Sequence, residues 1–310
     1  MTYSQPMLRW PEPLNPGDRV RIIAPSGAFD RERFLAGLEL MRAAGLVPVM
    51  RDDLFAKEHY LAGSDARRLA ELEEALADGD AKAIWVARGG YGAARVLPGL
   101  RERVARCRPR WLVGFSDATA LHAAWAQAGF ASVHGANVTT LPTWSEEARA
   151  ELFALLFAPT NQSFVGGSVA GPARDVEGPL VGGNLTVLAS MAGTGYIPSW
   201  RDGVVLLEDV GEKPYRLDRS LTQLVQAGAF VGARGIVIGQ LTSCEEPAND
   251  RGELPPYSAR EAVVAALGLL GLPVLTGLPL GHEPGSRAVV LGAHARLDAA
   301  RATLTVGASR

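Results

Sequence analysis

Ser116 is the residue with the clearest potential for chemistry, because of where it lies. The apolar residues 111–113 predict a strand, and an amphipathic helix is predicted to follow around residues 118–128. A serine at such a bend presents its hydroxyl beyond the sheet edge, beside the free N–H groups of the first helical turn. That position suits a nucleophile with a neighbouring oxyanion site.

The same segment is also typical of an ordinary helix start. In the hydrolase signature Gly-x-Ser-x-Gly, Gly114 is in place but Ala118 replaces the second glycine. Ser116 or Asp117 could simply cap the helix by accepting a backbone N–H. Both interpretations stay open on this segment alone.

A serine nucleophile needs a base, and His282 is the leading candidate of the five histidines. It lies in residues 278–285, a Gly- and Pro-rich loop after an apolar strand, where functional side chains are often presented. His134 follows the apolar residues 131–133 and is the second candidate. His122 is predicted to be buried in the helix after Ser116.

Glu208 is the candidate acid, because it ends the entirely apolar run 204–207 and is followed by Asp209. A buried carboxylate needs a partner, and a histidine is one possibility. A salt bridge to Arg216 or Arg219 is the alternative. The chain order Ser116, Glu208, His282 matches one large hydrolase class, although order alone proves little because triads are recognised by geometry.

Residues 88–92, Arg-Gly-Gly-Tyr-Gly, form a glycine-rich loop with three possible uses. Gly90 and Gly92 resemble the start of a dinucleotide fingerprint, but Arg95 stands where that motif wants a small residue. The loop could also be a flexible turn. A third use suits Ser116 better, since glycine lets backbone N–H groups approach a substrate oxygen closely.

Alternating strands and helices carry these residues. Strands are predicted at residues 20–24, 47–50, 83–87 and 111–113, and helices at 31–44, 64–76 and from Ala93. This alternation predicts an α/β fold with a parallel sheet, in which ligands bind at the carboxyl ends of the strands. Loops 24–27, 88–92 and 114–117 are expected to meet there.

Length and turn composition predict two domains. The chain has 310 residues, and turn-rich segments cluster around residues 155–177. We predict an N-terminal α/β domain at residues 1–158 that bears the nucleophile, a linker at 159–177, and a C-terminal domain at 178–310 that supplies the acid and the histidine. Residues 249–256 are predicted to be an exposed loop.

Composition argues against several classes of partner. The formal net charge is −2, which gives no global field for nucleic acid or an anionic membrane. No apolar run approaches a membrane span, and residues 1–16 lack the pattern of a signal peptide, so a cytoplasmic location is expected. Cys107 and Cys244 show no metal-binding spacing and are interpreted as incidental thiols.

A series of motifs then resembles those of the LD-carboxypeptidase family of serine peptidases, which includes the murein tetrapeptide carboxypeptidases. The motifs occur in order from about Pro16 to Val306: Ile23-Ala-Pro-Ser-Gly27, Arg88-Gly-Gly-Tyr-Gly92, Gly114-Phe-Ser-Asp117, Gly182-Gly-Asn184, Leu207-Glu-Asp-Val210, Tyr215-Arg216, Asp218-Arg219 and Gly281-His-Glu283. Such an ordered set is specific.

The resemblance implies a fold and a set of roles. The N-terminal domain would resemble class I glutamine amidotransferases, and the smaller C-terminal domain would be mixed α/β. Ser116 would be the nucleophile, His282 the general base and acid, and Glu208 the residue that orients the imidazole. The backbone N–H groups of Gly90 and Asp117 would form the oxyanion hole.

The resemblance also implies a substrate and partners. The expected reaction releases the terminal D-alanine from the L-centre of meso-diaminopimelate in murein tetrapeptide, during cell-wall recycling. Arg88 is a candidate clamp for the terminal carboxylate. No metal and no organic cofactor are implied, and a homodimer is expected. The alternatives are a hydrolase of peptidyl-nucleotide, microcin C-like antibiotics and a catalytically silent ligand-binding protein.

Overall fold

The chain folds into two compact units, each built on one β-sheet. This computed structural model describes residues 8–98, 100–246 and 257–308. Unit 1 contains the described residues up to Thr160 together with Arg287–Gly292, and unit 2 contains those within Asn161–Ser286 and Ala293–Ala308. The predicted loop at residues 249–256 lies outside the described residues.

The described part of unit 1 forms a six-stranded sheet with helices. Its strands are β1 (Arg19–Ile23), β2 (Val47–Val49), β3 (Ala81–Val86), β4 (Trp111–Gly114), β5 (Ser132–His134) and β12 (Val289–Leu291). Its α-helices are α1 (Arg31–Ala43), α2 (Asp65–Ala77), α3 (Leu100–Arg106), α4 (Thr119–Gln127) and α5 (Glu146–Phe157), and short 3₁₀ turns lie at Ala93–Val96, Ser116–Ala118 and Leu141–Thr143.

The strand order in unit 1 is β12-β5-β4-β3-β1-β2. All neighbours are parallel except β12, which runs antiparallel to β5. β4 is buried along its whole length and β3 almost so, as expected of parallel strands covered on both faces. The α/β prediction with a parallel sheet is confirmed for this unit.

One predicted helix differs from the structure. The helix expected from Ala93 is a 3₁₀ turn at Ala93–Val96, and α3 begins at Leu100. Pro98 lies at the break, and it lacks the N–H donor that a continuous helix would need at that position.

The described part of unit 2 forms an eight-stranded mixed sheet. Its strands are β6 (Gln162–Val165), β7 (Ser168–Ala170), β8 (Val176–Asn184), β9 (Val204–Val210), β10 (Gly235–Thr242), β11 (Val274–Thr276), β13 (His294–Asp298) and β14 (Thr303–Val306). Its α-helices are α6 (Leu185–Ser190), α7 (Pro214–Gln226) and α8 (Ala259–Gly268).

The strand order in unit 2 is β6-β14-β13-β8-β9-β10-β11-β7. The central strands β8 to β11 are parallel, and the flanking strands pair antiparallel. This is the mixed α/β arrangement that was expected of the C-terminal half. Among the described residues, no helix combines the length and apolar character needed to cross a bilayer.

The segment predicted as a linker, residues 159–177, has a different structure. It supplies β6 and β7, which are the two edge strands of the unit 2 sheet. Short edge strands are half exposed and rich in polar residues, so their composition resembles that of a loop. The chain also returns to unit 1 at Arg287–Gly292, where β12 pairs with β5.

Candidate active site

Ser116 lies at a strained bend immediately after β4. Its φ angle is +62°, in the left-handed region that residues with a Cβ rarely adopt. Such strain persists where the surroundings fix it, and it is typical of a nucleophile at a strand-to-helix turn. The residue is half-buried.

The helix-cap alternative for this segment is wrong. The cap positions of the 3₁₀ turn and of α4 are Phe115 and Ala118, and neither helix start has a side-chain cap. Asp117 instead accepts a hydrogen bond from the backbone N–H of Ala93 at 2.8 Å. Burial raises the pKa of Asp117, and the Ala93 N–H opposes that shift. The carboxylate therefore ties the serine bend to the glycine-rich loop.

Asn137 also holds the bend and was missed by the sequence analysis. Its side-chain oxygen accepts from the Phe115 N–H at 3.3 Å, and its amide nitrogen donates to the Phe115 carbonyl at 3.5 Å. Asn137 is buried and follows β5 closely in sequence. In the sequence, the signal for Asn137 is a polar residue just after a predicted strand.

The glycine-rich loop lies directly against Ser116. A Cβ added at Gly89 would lie 3.0 Å from Cβ of Ser116 and 3.1 Å from its Oγ, so a larger residue would disturb the serine. Gly90 has a φ of +100°, and within the described part of unit 1 its N–H has no recorded acceptor. The N–H of Gly27 donates to the Gly89 carbonyl at 3.1 Å. The three strand-end loops therefore meet, as predicted.

Charged residues of α2 hold these loops in place and were also missed. Arg68 is fully buried and donates from Nη1 to the carbonyls of Pro25 and Gly92. Glu71 accepts from the Ala24 N–H at 2.6 Å and from the Arg67 guanidinium. Burial raises the pKa of Glu71, and Arg67 opposes the shift. The helix thus fixes the ends of β1 and of the glycine loop.

Arg88, the candidate carboxylate clamp, begins the glycine loop and is exposed. Its guanidinium donates a hydrogen bond to the carbonyl of Ala28. A Cβ added at Gly27 would lie 3.2 Å from its Nη1, so the side chain lies along the first strand-end loop.

In unit 2, Glu208 and His282 form the acid and histidine pair that the sequence analysis proposed. Glu208 is completely buried near the end of β9, and its Oε2 lies 2.8 Å from Nδ1 of His282. The salt-bridge alternative is wrong, since Arg216 pairs with Glu212 and Arg219 lies over the Tyr215 ring. The pair directs the other ring nitrogen, Nε2, away from the carboxylate.

The loop that carries His282 is held by Gln240, which the sequence analysis did not single out. The Gln240 side-chain oxygen accepts from the Glu283 N–H at 3.0 Å and from the Ser286 hydroxyl at 2.6 Å. Gly281 has a φ of +150°, and a Cβ there would lie 3.3 Å from Oε2 of Glu208. A glycine is therefore needed for the imidazole loop to approach the carboxylate.

Asp209 has a different role from its neighbour Glu208. Its carboxylate accepts from the Asn184 amide at 3.1 Å and from the backbone and hydroxyl of Thr186 at 2.9 and 2.7 Å. Burial raises the pKa of Asp209. The residue therefore anchors the start of α6, while Glu208 bonds to the histidine.

Two other histidines belong to unit 1 and are buried. His122 lies between the Ser132 hydroxyl at 2.8 Å and the Gly114 carbonyl at 2.9 Å, and burial lowers its pKa to about 3. His134 packs against the Phe115 ring, with centroids 6.0 Å apart. His282 is the candidate base whose ring has the carboxylate partner that a triad requires.

The structure thus groups the predicted site residues in two sets. Ser116, Asp117, Arg88 and Gly90 lie in unit 1, and Glu208 and His282 lie in unit 2. Among the described residues, no cluster of three or more acidic, histidine or cysteine side chains could hold a metal ion. Both Cys107 and Cys244 are free thiols.

Comparison with known proteins identifies the sequence family. The model described as "LD-carboxypeptidase N-terminal domain" matches residues 20–135, and the one described as "LD-carboxypeptidase C-terminal domain" matches residues 177–297. Together the two models match most of the chain.

Curated relatives match over nearly the whole chain. A putative carboxypeptidase of Streptomyces coelicolor is 39% identical over 96% of this chain and 95% of its own length. The murein tetrapeptide carboxypeptidase of Pseudomonas aeruginosa is 34% identical, covering 91% of this chain and 94% of its own.

Solved structures share the fold. The muramoyltetrapeptide carboxypeptidase of Oxalobacter formigenes has a TM-score of 0.82 at 28% identity, covering 94% of this chain and 99% of its own. The wild-type microcin C7 self-immunity protein MccF has a TM-score of 0.83 at 20% identity, covering 98% and 99%. At that lower identity the likeness concerns the fold alone.

Proposed function

This chain belongs to the LD-carboxypeptidase family of serine peptidases, and from that premise we propose that it hydrolyses murein tetrapeptide. The bond cleaved is the amide between the L-centre of meso-diaminopimelate and the terminal D-alanine. The observation that carries the proposal is the 2.8 Å contact between His282 and the buried Glu208, because it provides an oriented base. The name of the Pseudomonas aeruginosa relative supports the choice of substrate.

In this proposal Ser116, His282 and Glu208 act as a catalytic triad. Nδ1–H of His282 donates to Glu208, so Nε2 is the ring nitrogen that acts as the proton acceptor. Nε2 removes the proton of the Ser116 hydroxyl while Oγ attacks the scissile carbonyl carbon. Glu208 stabilises the resulting imidazolium.

The oxyanion formed by this attack is proposed to bind the backbone N–H groups of Gly90 and Asp117. The positive φ of Gly90 supports that assignment, as does its N–H, which has no hydrogen-bond acceptor in the described part of unit 1. One such donor contributes about 10²- to 10³-fold to kcat in serine peptidases.

Collapse of the tetrahedral intermediate completes acylation. The carbon–nitrogen bond breaks, Nε2 of His282 gives its proton to the departing nitrogen, and D-alanine leaves as the free amino acid. Water then attacks the Ser116 ester with His282 again as the base. The products are the tripeptide carboxylate and the regenerated serine hydroxyl.

The biological setting is part of the same proposal. Peptides released from peptidoglycan during cell-wall recycling would be the substrates, and the enzyme would act in the cytoplasm as a homodimer. The formal net charge of −2 gives no reason to expect a nucleic-acid partner.

The test is product analysis with the purified protein and L-Ala-γ-D-Glu-meso-diaminopimelate-D-Ala. Chromatography should show tripeptide and free D-alanine in equal amounts. A tetrapeptide ending in L-alanine serves as the stereochemical control and should be cleaved far more slowly. Cleavage at an internal bond, or no cleavage of the D-alanine peptide, would contradict the proposal.

The same assay includes the two alternative functions as outcomes. A peptidyl-nucleotide cleaved while the tetrapeptide stays intact would indicate the alternative hydrolase activity. Binding of the tetrapeptide without cleavage would indicate a silent binding protein.

A further inference from the structure

Unit 1 contains a cavity of about 450 Å³ that the proposed mechanism does not use. Its lining includes three cationic side chains, Arg33, Lys57 and Arg88, and one carboxylate, Asp30. The formal charge of these four side chains is therefore +2. A concave surface of one sign attracts ions of the opposite sign.

Arg33 and Lys57 have no acidic partners at ion-pair distance in the part of the chain that the structure describes. The Asp30 carboxylate is engaged elsewhere, because it accepts the backbone N–H of Arg33 at 2.8 Å as the cap of α1. Three unpaired cations around one cavity favour an anionic ligand.

Arg88 connects the cavity to the nucleophile. It directly precedes Gly89, whose added Cβ would lie 3.1 Å from Oγ of Ser116. Consecutive Cα atoms are about 3.8 Å apart, so Cα of Arg88 lies that distance from Cα of Gly89, the residue beside the serine. One N–H of its guanidinium donates to the carbonyl of Ala28, a residue that also lines the cavity. The guanidinium has further N–H donors.

The part of the cavity lining next to Arg88 is also held in place by hydrogen bonds. Thr139 is buried, lines the cavity, and donates from both its N–H and its hydroxyl to the Ala87 carbonyl at 3.0 Å. Thr139 therefore holds Ala87, the residue between the end of β3 and Arg88, on the side of the cavity.

We propose that Arg33, Lys57 and Arg88 form a subsite for the terminal carboxylate of the peptide substrate. This inference rests on the proposed function. In a terminal residue the carboxylate carbon is separated from the scissile carbonyl carbon by two atoms, N and Cα, so the two carbons lie within about 4 Å of each other. Arg88 directly precedes Gly89, the residue that lies against Ser116, so we assign the direct contact with the carboxylate to Arg88, whose planar guanidinium suits a carboxylate. Arg33 and Lys57 raise the local potential.

The experiment compares two substrates that differ in one charge. One is the tetrapeptide with a free terminal carboxylate, and the other is the same peptide ending in D-alaninamide. Since a hydrogen-bonded carboxylate contributes more than a neutral amide, the wild-type kcat/KM ratio of acid to amide should be on the order of 100.

Substitutions of the three cations then show which side chain produces that ratio. Arg88→Gln should reduce it to nearly 1, Arg88→Lys should retain part of it, and Arg33→Gln and Lys57→Gln should each lower it. Arg42→Gln is the matched control, because Arg42 lies on α1 outside the cavity and pairs with Glu39. A merely structural role for Arg88 would lower both kcat/KM values and leave the ratio intact, which would overturn the inference.

Failure of the proposed function gives a separate result. If the wild type cleaves neither peptide, calorimetric binding of both peptides decides the question of the subsite. Tighter binding of the acid, lost in Arg88→Gln, supports the subsite without the reaction. Equal affinities for acid and amide, or no binding, overturn it.

Discussion

Glu208 illustrates how burial gives a side chain a fixed direction. The residue is completely buried at the end of an apolar strand, where a charge without a partner is costly. Its Oε2 is bonded to His282, and its buried Oε1 has no hydrogen-bond partner among the described residues. The imidazole is therefore the partner that holds this carboxylate in place, and the carboxylate in turn holds the imidazole.

Replacing Glu208 with glutamine should slow the chemical step more than it weakens substrate binding. Glu208→Gln preserves the side-chain volume but removes the charge that stabilises the imidazolium, so kcat should fall about 10²- to 10⁴-fold with a smaller change in KM. Initial rates of D-alanine release at several substrate concentrations measure both constants.

Glu212→Gln is the matched control for this variant. Glu212 lies four residues along the chain and pairs with Arg216, so its loss should leave kcat unchanged. A Glu208→Gln enzyme with wild-type kcat would contradict the triad.

His122 should make the free energy of unfolding depend on pH. Its pKa in the folded protein is about 3, against 6.5 for the free side chain, so the unfolded chain takes up a proton first as the pH falls. The stability contribution is complete above pH 6.5 and is lost below it, by about 1 kcal/mol for each pH unit down to the folded pKa.

Urea unfolding at about pH 7 and about pH 5 measures this dependence. His122→Gln should lower stability at the higher pH and reduce the pH dependence, whereas His59→Gln, at an exposed position, should leave the dependence as in the wild type. An equal pH dependence in wild type and His122→Gln would contradict the assignment.

At this scale the sequence indicates candidate residues better than it indicates their contacts. Ser116, Glu208 and His282 are candidates because strand ends and irregular loops mark where functional side chains lie, and their roles stay a prediction. Asn137, Gln240 and Arg68 were missed, because their roles depend on partners distant in sequence, such as Phe115 for Asn137. Local patterns carry no information about such pairings.

At the scale of elements, the loops after β1, β3 and β4 position the nucleophile together. Arg68 of α2 joins the first two of them, and Asp117 joins the last two. Gly89 is the point of closest approach to Ser116. The strand-end loops therefore behave as one unit, and a change in one should displace the serine.

Gly89→Ala should impair catalysis without backbone strain. Gly89 is not among the residues with a positive φ, but its new methyl group would lie 3.0 Å from Cβ of Ser116. Because small displacements of a reacting group are costly, kcat should fall about 10- to 100-fold.

The matched control is Gly79→Ala, where an added Cβ meets nothing within 4 Å. D-alanine release and urea unfolding of both variants give the comparison. An unaltered kcat in Gly89→Ala would show that the loop does not position the serine.

The elements themselves were largely predictable where the pattern was local. β1, β4, α1 and α2 match the predicted segments to within a few residues, because each has clear periodicity and a cap or a breaker. β6 and β7 lie in the predicted linker, since an edge strand is recognisable by its pairing rather than by its composition.

At the scale of the whole molecule, the chain runs from unit 1 to unit 2, back to unit 1, and again to unit 2. Residues 287–308 supply β12 to the first sheet and β13 and β14 to the second. The prediction of two consecutive domains does not contain this return to unit 1. The return is hard to predict because β12 is only three residues long and pairs with a strand more than a hundred residues earlier.

Truncation after Ser286 should therefore abolish folding although every proposed catalytic residue remains. Removal of β12, β13 and β14 leaves one edge of β5 and one edge of β8 unpaired and takes away the neighbour of β6, and unpaired strand edges promote aggregation. A chain ending at Ala308 is the control and should unfold cooperatively in urea, as followed by tryptophan fluorescence. A cooperative transition with D-alanine release in the shorter chain would contradict this account.

The most direct test of the central claim is the rate of D-alanine release from the murein tetrapeptide by wild type and Ser116→Ala, with Ser190→Ala, an exposed serine at the end of α6, as the control. Wild type and Ser190→Ala should release D-alanine at equal rates, and Ser116→Ala should lose at least about 10⁴-fold, as expected when a serine nucleophile is removed. Release by Ser116→Ala at the wild-type rate would contradict the assignment of Ser116 as the nucleophile.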